Sequence, residues 1–587
     1  MTYDPTRFIL ARLHLVSLWD KVTKAQIIRT LNNLSRGPEA LEEAYKEAFK
    51  RIDDQPLGLK TLAKSVLSWL SYARRPMTVP ELCHALAVEV GDKELDPNNV
   101  PDIGDITSVC AGLVTIDEES QIVRLVHYTA QEYLETTREK WNPEAQYNIA
   151  ATCLTYLCFE SFQSGLCTDY KEFSTRLKQN PFLRYAATYW GDHIATVQQE
   201  TLELAMCLLQ KKPLIESVQQ IRPSDMHGRS FQLRHARDWT GLHQTASLGL
   251  LSLSKELLHV AGGDMMYLNS KNSDGRTALL LAVRGGHEMV VDLLLGTGHV
   301  DVNGEDDVGD TPLRWAVARG YASIVKLLLD TDKIDVNNQN KNSQKTALIE
   351  AASGGHKDVV ELLLKISKID VNKPDSEGNT ALILAACQGH KDVVKLLLDT
   401  DKTDVNIQDY LGHTALMVAV WHRKEGVLKL LLDHDKVDVN TRADFGTTVL
   451  IASACGGGEI VRLLLDTCKV DVNAKDKDGT TALIQAVCSS NAEVVRMLLD
   501  VEGIDVNAKD EDGNTALTMA ISCGEGRVVQ TLLAVEWIVV EYDELMEKAL
   551  QDAVEIWGYT DMVDLVKGYT ANHEATTQDV AILSNTI

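Results

Sequence analysis

The chain has 587 residues, 45% hydrophobic and 24% charged, a globular composition too long for one core, so two or more domains are expected. Its formal net charge of −26 excludes general affinity for nucleic acid or anionic lipid, both of which need a basic field. Eleven cysteines without C-x-x-C spacing, no secretory leader and no apolar run of membrane-spanning length predict a cytoplasmic protein whose cysteines are small core residues.

Residues 1–58 read as a helical segment. Within it Phe8 to Trp19 is helical in spacing but apolar on more than one face, so it is expected to be covered on both sides. Two covers remain open: a domain upstream of Met1, or the helix's own neighbours.

Residues 60–136 read as a winged-helix domain. Leu62 to Tyr72 is amphipathic, and Arg74, Arg75 and Pro76 break it. Thr78 caps a second helix through Ala87, with Glu81 completing a capping box. Asp102 or Asp105 starts a third helix ending at Gly112, and Leu113 to Ile116 and Ile122 to Val126 alternate around an acidic turn, the pattern of a hairpin. Such domains often bind DNA, but the third helix, Ile103 to Leu113, contains no Lys or Arg. Over residues 60–136 six basic side chains face twelve acidic ones, a net of −6, so phosphate would be repelled.

The runs V-L-S-W-L-S-Y-A-R-R-P-M-T-V-P-E-L from Val66, S-V-C-A-G-L-V-T-I-D from Ser108 and V-R-L-V-H-Y-T-A-Q-E-Y-L from Val123 resemble the winged-helix region of fungal NACHT-ankyrin proteins, signal-transducing NTPases of the STAND class. That region is named after GPI inositol-deacylase, but a deacylase needs a nucleophile elbow and the chain has no G-x-S-x-G. Residues 141–225, including N-P-F-L-R-Y-A-A-T-Y-W-G-D-H from Asn180, resemble the helical linker of the same proteins. The resemblance implies a nucleotide-driven receptor, yet no G-x-x-x-x-G-K-[ST] is present, so nothing here cradles phosphates. An alternative reading is therefore a fragment of a NACHT-type nucleotide-driven signalling receptor, residues 1–58 being a remnant adjoining an NTPase core that is not in this sequence.

From residue 238 to 570 one pattern recurs. The threonines opening its T-x-L unit are Thr240, Thr277, Thr311, Thr346, Thr380, Thr414, Thr448, Thr481 and Thr515, and D-V-N keeps the same beat from Asp301 to Asp505. Thr is a good N-cap, small residues such as Ala351, Ala352, Ala385 and Ala386 allow close approach, and Gly286, Gly320, Gly355 and Gly389 supply a left-handed helix end. A second helix follows, and D-V-N leads into a hairpin whose tip carries Asp-Gly at Asp274, Asp478 and Asp512. One such unit cannot hide its apolar face, whereas a stack can. The pattern resembles the ankyrin repeat: nine units plus a C-terminal cap from Ala549 to Lys567, with residues 571–587 a disordered tail. The T-P-L-H histidine survives only at His243, so bonding between loops is expected to contribute less than helix stacking.

Chemical motifs fail on inspection. Asp510, Asp512 and Gly513 mimic a calcium loop, but position twelve is Met519 instead of glutamate. His287-Glu288 lacks a second zinc ligand at Val291, and His287, His356 and His390 share one slot that turn structure explains better than a metal. No nucleophile has a plausible base, so no catalytic, cofactor or metal site and no enzyme is expected.

The resemblance implies a concave binding face made of hairpin tips and first-helix ends. Around Thr414 the tip is Tyr410 and Leu411, followed by His413; the helix end carries Trp421, His422 and Arg423, and Phe445 occupies the next tip. Clustered aromatic and arginine side chains are what protein interfaces use as anchors. Trp421 can instead fold inward to fill the gap left by a missing glycine. Arg284 and Arg319 are further rim candidates, while Trp315 reads as core. The expected fold is mainly α, an ankyrin-repeat solenoid preceded by a winged-helix domain and a helical linker domain. The expected function is a scaffold binding other proteins, with no nucleic-acid or membrane partner.

Overall fold

Thr78 opens the helix Val79–Ala87 with a reciprocal cap: its side chain accepts from the third helical amide, and Glu81 accepts from the amide of Thr78 at 2.9 Å. Glu81 is held ionised by Arg75, whose guanidinium pairs with it at 2.5 Å. This local device starts the second helix expected within residues 60–136. The computed structural model describes residues 23–26, 28, 40–221, 236–541, 543–556 and 558–569. The segment Phe8 to Trp19 and the tail 571–587 therefore lie outside the described residues. Two units divide the chain after Asp307.

In the first unit, helices Leu57–Tyr72, Val79–Ala87 and Ile103–Val109 accompany a three-stranded antiparallel sheet whose first strand lies between the first two helices and whose other two follow the third. Its strands are β1 (Met77–Thr78), β2 (Val114–Ile116) and β3 (Ile122–Leu125), in the order β1-β3-β2. β3 pairs Val123 with Met77 on one side and with Ile116 on the other. Val123, Met77, Leu82, Leu67 and Ile106 are buried together beneath it. The third helix stops at Val109, earlier than expected, because Ala111 and Gly112 turn through positive φ before β2.

The helix Ala40–Asp53 joins this core. Its Phe49 meets Trp141 edge-on at 4.8 Å, and Tyr45 lies 5.3 Å from Tyr133. The helices from Ala145–Leu157 to Lys212–Ile221 add an aromatic cluster in which Phe182 meets Trp69 at 5.4 Å and Tyr156 at 5.1 Å, both nearly perpendicular. Cys153 is fully buried here and burial pushes its thiol well above the ordinary range, as a core cysteine requires. The reading of all cysteines as core fails in the repeats, where Cys455, Cys468, Cys488 and Cys523 are exposed. This unit closes with the repeat helices Gly241–Leu248, Leu251–Ala261, Ala278–Gly285 and Glu288–Gly296.

The second unit contains, among the described residues, seven helix pairs from Pro312–Ala318 to Gly526–Leu533, then Glu544–Glu555 and a helix over 560–569. Every opening threonine from Thr311 to Thr515 accepts a bond from the third helical amide. Asp543 does the same for the helix Glu544–Glu555, which begins ahead of the expected Ala549. Gly320, Gly355 and Gly389 all adopt positive φ. In the second helices Val393, Val394 and Leu397 are at most 1% exposed, each stabilising the stack by roughly 1.5–3 kcal/mol.

Neighbouring loops are bonded at every step described in full, and the D-V-N asparagine makes two of those bonds. Asn372 donates through Nδ2 to the carbonyl of Lys402 at 2.8 Å and accepts through Oδ1 from the amide of Asp404 at 2.9 Å. Asn337, Asn406, Asn440, Asn473 and Asn507 repeat both bonds to the unit that follows each. In the first unit Asn269 does likewise with His299 and Asp301. Asn269 makes these exposed bonds in the unit that also keeps His243, whose Nε2 bonds the carbonyl of Ser270, so they add to the histidine's bond and do not stand in for it.

The expected hairpins are shorter than hairpins. Among the described residues of the repeats no strand forms, and the tips are tight turns, several closed by an aspartate, as where Asp375 Oδ1 accepts from the amides of Glu377 and Asn379, while Asn272 and Asn340 do the same at their tips. Successive tips join by single backbone bonds: Tyr410 to Glu377, Asp444 to Leu411, Lys477 to Phe445 and Glu511 to Asp478, at 2.9–3.1 Å.

Candidate partner-binding surface

Asp409 organises the tip that carries the predicted residues. Its Oδ1 accepts from the amides of Leu411 and His413, and its Oδ2 lies 3.0 Å from His413 Nδ1. With the turn so fixed, Tyr410 and Leu411 point outward at 68% and 60% exposure, and Phe445 on the next tip stands 74% exposed. Trp421 closes the helix Ala415–Trp421, and its ring meets that of His413 edge-on at 4.2 Å while 44% of the residue stays exposed. Tryptophan in a helix leans toward the N-terminus, which carries the indole back over His413. The structure therefore joins Tyr410, Leu411, His413 and Trp421 through one aspartate–histidine–indole chain, with Phe445 on the adjoining tip.

The alternative in which Trp421 turns inward is not what the structure shows. The gap left by the missing glycine is taken by Arg423, which adopts φ 52° at the position of Gly389 in the preceding unit. Lys424 fills the slot held elsewhere by histidine, its chain lying where a Cβ on Gly389 would fall. In that slot His390 Nε2 bonds the carbonyl of Ser353 at 3.0 Å and His287 bonds Ser247 at 3.2 Å, so these rings serve turn packing. His422 caps the helix, exposed beside Arg423. A non-glycine residue in the left-handed region is strained by roughly 1–2 kcal/mol, partly offset by glycine's entropy. Arg423→Gly is accordingly expected to stabilise the chain by about 0.5–1 kcal/mol, seen as a higher urea midpoint.

Trp315 departs from its assignment to the core: it is only half-buried, and Arg319 lies over its ring at 6.0 Å. Arg319 is exposed and Arg284 half-buried. Between Gly309 and Glu536 the large hydrophobic side chains left exposed, among the described residues, are Tyr410, Leu411, Trp421 and Phe445. Sequence reading found these by contrast with neighbouring units. It read the neighbouring tips, Glu377 among them, as small or acidic and did not pick out Asp444, because a tip acid looks like ordinary solvated charge until the tips are seen bonded in a row. Among the described residues no group of three or more His, Cys, Asp and Glu is placed to hold a metal, and no helix is long and apolar enough to cross a membrane.

Comparison with known proteins agrees with this geometry. Family models for ankyrin repeats match residues 242–340, 293–375, 348–443 and 416–510, and a further one matches 489–533. The model described as GPI inositol-deacylase, winged helix domain, matches residues 54–149. No curated protein matches the chain. Among solved structures, the ankyrin repeat domain of Bcl-3, described as a unique member of the IkappaB protein family, is similar at 25% identity with a TM-score of 0.36, over 39% of this chain and 99% of that one. The chain is thus a mainly helical protein with ankyrin repeats in its C-terminal part and a winged-helix domain at residues 54–149.

Proposed function

We propose that the protein is a non-catalytic, cytoplasmic scaffold that binds partner proteins through the patch formed by Tyr410, Leu411, His413, Trp421, His422, Arg423 and Phe445. The observation that carries this reading is the grouping of Tyr410, Leu411, Trp421 and Phe445 on two adjoining tips and one helix end, the large hydrophobic side chains left exposed, among the described residues, between Gly309 and Glu536. A monomeric surface scatters such residues singly, whereas a cluster of aromatic side chains marks a contact site. The acid-rich winged helix, whose third helix offers no cation to phosphate, supports a packing role for that domain and no role in nucleic-acid binding.

Trp421→Ala should weaken capture of the physiological partner by about 2 kcal/mol or more while leaving the thermal transition of the full chain nearly unchanged. A partner recovered equally well by wild type and by this variant would reject the patch.

A second reading rests on the winged-helix match ahead of the repeats. In it the chain is part of a NACHT-type signalling receptor whose nucleotide engine lies on sequence absent here. An in-frame phosphate loop in the genomic sequence upstream would favour it; an intergenic stretch would count against it.

A further inference from the structure

The tips form a continuous row, each bonded through its backbone to the one before, and their exposed side chains are ordered along it. Glu377 precedes Tyr410 and Leu411; Asp444 and Phe445 follow; Asp478, then Glu511 and Asp512, continue the row. Five exposed carboxylates therefore bracket and interrupt the apolar tips, against one exposed tip cation, Lys477. Two further exposed cations lie just ahead of the tips and keep their charge, Arg442, which donates to the carbonyl of Lys475, and Lys475, which donates to that of Lys509 at 2.9 Å, so the carboxylates outnumber these cations by five to three. His422 and Arg423 stand about 10 Å along the helix from the tip, at a rise of about 1.5 Å per residue. A ligand lying along the row meets acid, then apolar rings, then acid.

We propose that the segment recognised here is basic, apolar, basic: a polypeptide stretch with one or two large hydrophobic side chains seated against Tyr410, Leu411 and Phe445, flanked on both sides by lysine or arginine. This rests on the patch being a protein-binding site and adds the chemistry of what binds. Carboxylates at a rim steer such a ligand and repel acidic ones, and they discriminate among partners more than they add affinity. Nucleic acid and anionic lipid surfaces are disfavoured by the same charges.

The test is selection of displayed random 12-residue peptides on the full-length protein, with counter-selection on the Tyr410→Ala/Phe445→Ala variant so that only patch-dependent sequences survive. The expected survivors carry a large apolar residue between Lys or Arg residues. A synthetic survivor should bind about tenfold or more weakly to the Trp421→Ala variant, and several-fold more weakly at 300 mM than at 50 mM salt. Glu377→Lys/Asp478→Lys/Asp512→Lys, checked for an unchanged thermal transition, should lose these peptides and gain acid-flanked ones. Patch-dependent survivors with neutral or acidic flanks would overturn the proposal while leaving the binding patch intact. A selection yielding no patch-dependent sequence at all would overturn both.

Discussion

Acidification from pH 7 to pH 4.5 is expected to remove several kcal/mol of stability from the unit that ends at Asp307. His193 and His243 are both completely buried, and burial lowers each imidazole to a pKa of about 4 from its ordinary 6.5. The hydrogen bonds of His243 suit only the neutral ring: Nδ1 accepts from the amide of Thr240 at 3.1 Å, and Nε2 donates to the carbonyl of Ser270 at 2.9 Å. His193 meets the hydroxyl of Tyr185 through Nε2 at 2.9 Å. Because the unfolded chain takes up these protons near pH 6.5 and the native one does not, the stability is fully present above pH 6.5. It is lost progressively as pH falls toward 4, by up to roughly 3 kcal/mol for each histidine. Urea unfolding of the full chain followed by tryptophan fluorescence at pH 7, 6, 5 and 4.5 measures this directly. A midpoint unchanged between pH 7 and 5 would exclude it. The His193→Gln/His243→Gln variant should start less stable at pH 7 and show a flatter profile.

The second large effect lies at the tips. Gly412 has φ 78°, and a Cβ built on it would sit 2.8 Å from both the Cα of Ala443 and the amide nitrogen of Asp444. Both neighbours are backbone and cannot rotate away, so Gly412→Ala must push the next tip aside and break the bond from Asp444 to Leu411. A loss of about 3 kcal/mol or more is expected, combining left-handed strain with overpacking. Gly503 has the same handedness at φ 85° with nothing within 4 Å of its Cβ position. Gly503→Ala should therefore cost only about 1 kcal/mol. Equal urea midpoints for the two variants would show that close approach between tips is not what requires glycine at Gly412.

What could be read from sequence was whatever one residue does for its own neighbourhood. The threonine caps, the Thr78–Glu81 box and the left-handed glycines follow from local chemistry, and each stands where the pattern put it. The period of the threonines also gave the helix pairs, since a unit that cannot cover its own apolar side must be followed by another. Harder to read was anything depending on which unit lies beside which. D-V-N was visible as a beat, but nothing in one copy says that its asparagine reaches some 30 residues on. β1 escaped notice because two residues, Met77 and Thr78, give no alternation to detect. At the candidate surface the odd residues around Thr414 stood out. Whether Trp421 turned in or out depended on Arg423 accepting a backbone conformation usually left to glycine, and a residue's name does not report that.

The asparagine ladder bears on how such an array can change its length. Asn372 now grips Lys402 and Asp404, and Asn406 grips Lys436 and Asp438 with the same two atoms. Excising residues 373–406 would bring Lys436 and Asp438 to Asn372, and the handshake would close again with no amide orphaned. Duplication works by the same rule. Gene segments encoding whole periods can be gained or dropped while each junction keeps its grammar, so the number of units is free to drift even where the face they present is not.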